Sequence, residues 1–106
     1  MPESFVTVLI EYQALPDQAA NAVARLERLV ATVVREEADC FGIRLLEDSA
    51  DSTRLLLEER WSSQEAYLGP HFQTAHLQEF IADAAALFAG RPGIRFWRCR
   101  SEHLPG

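Results

Sequence analysis

His71 and His76 lie five residues apart, just downstream of Glu58-Glu59-Arg60-Trp61 and Tyr67. Imidazole changes charge near neutral pH, so either histidine is a candidate general base. His71 follows Pro70 at a helix start, where the positive dipole end favours the neutral ring; it reads equally well as a cap or surface residue. His76 lies near the edge of an apolar stripe, one turn from Phe72 and one from Phe80, and reads equally well as a satisfied core histidine. On a continuous helix the two rings point about 140° apart, which disfavours a two-histidine metal site. Trp61, at a strand end, offers an aromatic wall and an indole N–H donor, or plain packing. Tyr12 and Tyr67 offer phenolic hydrogen bonds. Of Glu58 and Glu59, one facing an apolar pocket would have a raised pKa and become a candidate base; otherwise each pairs with a neighbouring arginine.

Other chemistries find little support. Cys40 and Cys99 are far apart and form no C-x-x-C, so neither a zinc set nor a disulfide framework is expected. Asp39 beside Cys40 raises the thiol pKa and weakens any nucleophilic role. There is no dinucleotide fingerprint. The net charge is −6, and all 10 basic residues are arginine. That balance argues against nucleic acid, whose phosphates need a basic face. Arg91, Arg95, Arg98 and Arg100 cluster near the end, as an edge strand blunted by charge or as a clamp for an acidic substrate. No signal peptide and no membrane span is read, so the expectation is a soluble, cytoplasmic protein.

The elements that must position these residues follow from periodicity. Ser4 to Gln13 reads as a strand, apolar on both faces: Phe5 and Leu9 on one, Val6, Val8 and Ile10 on the other. Leu15-Pro16-Asp17 is a turn, with Asp17 as helix N-cap. The helix from Gln18 carries Ala19, Val23, Leu26, Val30, Val33 and Val34 at helical spacing. Glu36 and Glu37 oppose the dipole and fall in its fraying last turn, and Asp39 takes a left-handed conformation. Phe41 to Asp48 and Thr53 to Trp61 form a hairpin, with Leu55, Leu57, Glu59 and Trp61 sharing a face. Ser62-x-x-Glu65 is a capping box, and Gly69-Pro70 breaks the helix it starts. A second helix runs from near His71 to Phe88, burying Phe72, Leu77, Phe80, Ala84, Leu87 and Phe88. Gly90 is its C-cap, and Pro92 to Arg100 is the last strand. Residues 1–100 make one domain and 101–106 a polar tail.

The order β-α-β-β-α-β is the α+β, ferredoxin-like split-βαβ arrangement, a four-stranded antiparallel sheet with helices on one face. The first strand then leaves apolar side chains that nothing in one chain covers. A symmetric homodimer through the open sheet face is the economical cover.

Leu57-Glu58-Glu59-Arg60-Trp61-x-x-x-Glu65-Ala66, followed by His71-x-x-Thr74-x-His76-x-x-x-Phe80, resembles the antibiotic biosynthesis monooxygenase family of dimeric α+β barrels. Glu36-Glu37-Ala38-Asp39-Cys40-Phe41-Gly42-Ile43 stands near that family's Glu-Pro-Gly-Cys segment, with Ala38 and Asp39 in place of its proline and glycine. The resemblance covers roughly residues 5 to 98. It implies a pocket between sheet and helices where substrate meets Trp61, His71 and His76. Tyr12, Tyr67, Phe72 and Glu59 are the further expected substrate-binding residues. The relatives include cofactor-free quinol or anthrone oxygenases, haem-degrading enzymes and isomerases. Haem degraders carry an asparagine beside a glutamate on the first strand, whereas here Glu11 is followed by Tyr12. The expected activity is cofactor-independent oxidation of an electron-rich aromatic small molecule by O2, with no metal and no cofactor. The alternatives are a non-catalytic small-molecule-binding dimer, a haem-binding or haem-degrading enzyme ligated through His76, and an isomerase.

Overall fold

A computed structural model describes residues 4–106. Its elements are β1 (Val6–Gln13), α1 (Ala19–Glu36), β2 (Cys40–Asp48), β3 (Asp51–Trp61), α2 (Gln64–Leu68), a 3-10 turn (Pro70–Gln73), α3 (Ala75–Ala84) and β4 (Gly93–Arg98). The four strands form one antiparallel sheet in the order β2-β3-β1-β4. This is the expected ferredoxin-like α+β arrangement. No helix among the described residues is long and apolar enough to cross a membrane.

Strand alternation sorts the sheet into two faces. Val6, Val8 and Ile10 of β1 and Leu55, Leu57, Glu59 and Trp61 of β3 are buried against the helices. Thr7, Leu9, Leu56, Glu58 and Arg60 point the other way and are only half-buried. Leu46 and Trp97 are exposed; the pairings Leu46↔Leu56 and Thr7↔Trp97 put both on this open face. The arginine-bearing β4 is an edge strand, paired only to β1 among the described strands.

α1 packs its face of Ala22, Leu26, Leu29 and Val33 on the sheet. The stripe is turned from the expected one: Val34 is half exposed, while Arg25 is buried. Arg25 reaches Asp83 of α3 at 3.0 Å and lies over the Phe80 ring. Its charged head is thereby partnered while its stem covers apolar surface. Four expected cap and turn positions shift; Gly90 is left-handed at φ 71° but lies beyond α3, whose C-cap is Ala85. The N-cap of α1 is Gln18, and Asp17 instead occupies the left-handed region at φ 66°. Asp39 is not left-handed; its carboxylate accepts from the Ser62 hydroxyl at 2.7 Å. The cap of α2 is Ser63, not Ser62, with its hydroxyl oxygen accepting from the Ala66 N–H.

The main departure lies between Gly69 and Phe88. The expected single helix is a 3-10 turn, a new cap at Thr74 and a short α3 ending at Ala84. Leu87 and Phe88 lie beyond it and pair with the residues just after β1, Ala14 bridging Phe88 and the Leu15 N–H donating to the Leu87 carbonyl. Gly69 starts the break: a Cβ there would meet the Glu65 carbonyl oxygen at 3.0 Å. Pro70 fits the first position of the turn because its missing N–H would have no partner there.

A bulge interrupts β2 between Cys40 and Gly42, where the register slips by one residue. Gly42 takes φ 150°, open to glycine at little cost. The extra residue moves Phe41 out of the expected alternation. Cys40, opposite Trp61, and Ile43, opposite Glu59, both face the helices as a result.

Candidate active site

The chemistry-bearing side chains gather between the Trp61 end of the sheet and the α2–α3 segment. Trp61 is 1% exposed. Tyr67 of α2 meets it edge-on at 5.5 Å between ring centres, and His71 packs on it at 4.6 Å. Tyr67 also touches His71, Phe72 and Phe96. The 3-10 turn produces this cluster. A regular helix from residue 70 would carry His71 and His76 to different sides, whereas the break at Thr74 lets each ring be aimed separately.

Both rings converge on Glu37, the residue that closes α1. His71 Nδ1 lies 2.8 Å and 3.0 Å from the two carboxylate oxygens, and His76 Nε2 lies 2.6 Å from Oε2. A carboxylate only accepts, so the protons belong on His71 Nδ1 and His76 Nε2. Burial pushes the pKa of His71 below its ordinary value, against the pull of Glu37. The ring is therefore neutral near pH 7, and Nε2 carries its lone pair. No buried side-chain polar atom of the described residues is left without a partner. His71 Nε2 and the Tyr67 hydroxyl have no hydrogen-bond partner among the described residues, and neither atom is fully sealed from solvent although both residues are buried.

Two clamps hold the geometry. The Thr74 hydroxyl donates to the His71 carbonyl at 2.8 Å and accepts from the Leu77 N–H at 3.3 Å, joining the turn to α3. Ser62 ties the β3–α2 junction to the α1–β2 turn through the Asp39 carboxylate and backbone carbonyl. Glu37 and His71 thus sit on segments fixed to one another.

Glu59 is the second carboxylate of the site, 3% exposed on the helix-facing side of β3. It accepts the Trp61 indole N–H at 2.8 Å. Burial raises its pKa to about 7, with the negative charge of Glu37 adding to the rise. Glu58, on the other face, pairs with Arg44. The indole N–H expected to serve substrate is thus committed to Glu59, and Trp61 acts as the wall behind His71. Burial likewise raises both tyrosine pKa values, so Tyr12 and Tyr67 remain hydrogen-bond donors. Tyr12 stands apart from this cluster, packed on Phe80 and Phe88. Cys40 and Cys99 are unpaired thiols. Burial, more than any neighbouring charge, pushes Cys40 up to about 11.

The structure therefore brings Trp61, Tyr67, His71, Phe72 and Glu59 together, joins His76 to them through Glu37, and leaves Tyr12 in the adjoining aromatic cluster. Glu37 is the residue that sequence reasoning missed. Its signal was an acidic residue at a helix C-terminus, a placement the dipole disfavours unless a partner compensates.

The family model for antibiotic biosynthesis monooxygenases matches residues 5–83. That span runs from β1 into the last turn of α3 and holds every residue of the cluster except Phe96 of β4. The chain belongs to the antibiotic biosynthesis monooxygenase family. Among solved structures it is similar to the Pseudomonas aeruginosa protein PA3566, with 27% identity and a TM-score of 0.82 over 93% of this chain and 97% of that one. It is also similar in fold to Rv0793 of Mycobacterium tuberculosis, with 24% identity and a TM-score of 0.80 over 93% and 98% of the two chains. A comparison with curated proteins gave no match.

Proposed function

We propose that the protein is a cofactor-independent monooxygenase, oxidising an electron-rich aromatic small molecule of the quinol or anthrone type with O2. The observation that carries this reading is the Glu37–His71 pair. A buried neutral imidazole has its Nδ1–H held by a carboxylate, and its ring packs against Tyr67. That is the arrangement of an oriented general base.

His71 Nε2 takes a proton from the substrate. The resulting anion is delocalised and electron-rich enough to pass one electron to O2. The radical pair then closes a carbon–oxygen bond and becomes a hydroperoxide. For an anthrone-type methylene, loss of water leaves a carbonyl, with one oxygen atom in the product and the other in water. The substrate supplies all four electrons and both hydrogens of that water, so no external reductant enters. Tyr67, kept protonated by burial, donates to the developing oxyanion. Phe72 and Phe96 close the aromatic wall around it. Glu37 is a positioning residue that fixes the His71 tautomer, and His76 holds Glu37 from its other side.

The working unit is a homodimer. Leu9, Leu56, Leu46 and Trp97 form an apolar area on the open sheet face, flanked by the Arg44–Glu58 pair. The fold offers no second layer there, and a two-fold copy of the same face covers it. Two unpaired thiols fit a reducing, cytoplasmic compartment.

The test is oxygen uptake with a panel of hydroquinones and anthrones, followed by mass analysis of product formed under 18O2. The reading predicts uptake and one labelled oxygen in the product of an anthrone. A folded dimer that consumes no oxygen with any of them returns the assignment to a binding protein or an isomerase.

A further inference from the structure

We propose that Glu37, His71 and His76 form a binding site for Zn2+ or a similar divalent transition-metal ion. The three residues come from three elements: the end of α1, the 3-10 turn and the first turn of α3. Their ligand atoms all lie within 4.8 Å of one another, and both imidazole nitrogens point at the same carboxylate oxygen. Two imidazoles and one carboxylate are a donor set that suits such ions. Only on one continuous helix would the two histidines be held on different sides. The break at Thr74 removes that constraint.

The geometry needs little adjustment. Tetrahedral Zn2+ with metal–ligand bonds of roughly 2.0–2.2 Å holds neighbouring donors about 3.4 Å apart. The two nitrogen–oxygen separations are 2.6 Å and 2.8 Å. Each must open by about 0.6–0.8 Å as the bridging protons are replaced by the ion, which side-chain rotation supplies. The Glu37 and His71 side chains are 11% and 4% exposed and His76 is 21% exposed, so the ion enters at the His76 edge and can keep a water as fourth ligand. A cation there also offsets the two neighbouring carboxylates, Glu37 and Glu59, which repel one another across a buried space.

Loading has a consequence for His71. The ion takes Nδ1, so the remaining ring proton sits on Nε2, and the ring becomes a donor instead of a base. Metal binding and base catalysis are therefore mutually exclusive states of one cluster. The binding claim does not depend on the proposed oxygenase activity and is tested without it.

The experiment is calorimetric titration of the full chain with ZnCl2 at pH 7.5, in two buffers of different ionisation enthalpy, with folding of each variant checked by circular dichroism. The expected result is one ion per chain, with proton release that makes the apparent heat buffer-dependent. Affinity falls at least tenfold in Glu37→Gln and in His76→Ala. It is unchanged in the Cys99→Ser, His103→Ala double variant, which removes the exposed thiol and the imidazole of the C-terminal segment. Should Glu37→Gln fail to fold, His76→Ala decides alone, since that ring is the most exposed of the three. No zinc uptake by folded wild type, undiminished affinity in a folded cluster variant, or loss of binding in the double variant would each overturn the proposal.

Discussion

Replacing Glu59 with glutamine isolates the cost of burying a carboxylate in the site. Glu59 is 3% exposed, and its pKa rises from the ordinary 4.5 to about 7, chiefly through burial. At about 1.4 kcal/mol per tenfold change in proton affinity, that rise corresponds to about 3 kcal/mol. The sign follows from which form the fold prefers. A raised folded-state pKa contributes stability that is fully present below pH 4.5 and is lost as pH rises through about 7. Above pH 7 the fold therefore holds an ionised, desolvated carboxylate with one donor, the Trp61 indole. Glutamine is nearly the same shape, its amide oxygen accepts the same N–H, and it never ionises. Glu59→Gln should thus stabilise the protein at pH 8.5 relative to wild type, and the gain should shrink by about 3 kcal/mol when both are compared at pH 4.5. Urea unfolding of the two proteins at both pH values measures the difference. A stability difference that stays the same at pH 4.5 and 8.5 would instead mean that Glu59 has an ordinary pKa in the fold.

Other perturbations follow from the same geometry. Glu37→Gln removes the carboxylate that assigns the His71 proton to Nδ1 and should lower oxygen uptake by roughly 10²–10⁴-fold with the fold retained, read with an oxygen electrode and circular dichroism. Because burial holds the His71 pKa below its ordinary 6.5, neutral imidazole persists below that pH; the acid limb of the uptake profile should lie under 6.5. Thr74→Ala loses the cap of α3 and the bond to the His71 carbonyl and should cost about 1 kcal/mol in urea unfolding. Leu9→Arg puts a charge in the middle of the open face and should leave the chain monomeric in sedimentation velocity at concentrations where the wild type sediments as the proposed dimer.

Much of the fold was legible because strand alternation and helical spacing are strong signals. Val6, Val8 and Ile10 alternate against Thr7 and Leu9, and Leu55, Leu57, Glu59 and Trp61 share a face as the period of two requires. The hairpin, the edge strand with its arginines and the break at Gly69-Pro70 follow from equally local chemistry. Less legible was what tertiary contact decides. Arg25 is a helix-surface residue by type and becomes buried only because Asp83 and Phe80 wait on α3. The bulge at Cys40–Gly42 changes which β2 residues face the site, and no count along the sequence shows a slip of one residue. In the site, Trp61, Tyr67, His71 and Phe72 were readable as an aromatic and imidazole cluster at element junctions. Glu37 was not, because it lies 34 residues before His71 and only folding brings the two together. The separate aiming of His71 and His76 was hidden for a related reason. Thr74 reads as an ordinary helical position until its hydroxyl is seen to cap α3.

In the proposed reaction His71, oriented by Glu37, removes the proton that starts the attack on O2, and the proposal stands or falls on this step. It is tested most directly by oxygen uptake of His71→Ala with the best hydroquinone or anthrone, measured with and without added imidazole. Uptake should fall roughly 10²–10⁴-fold and be partly restored by imidazole entering the space left beside Tyr67 and Glu37. Uptake by His71→Ala at the wild-type rate would contradict it.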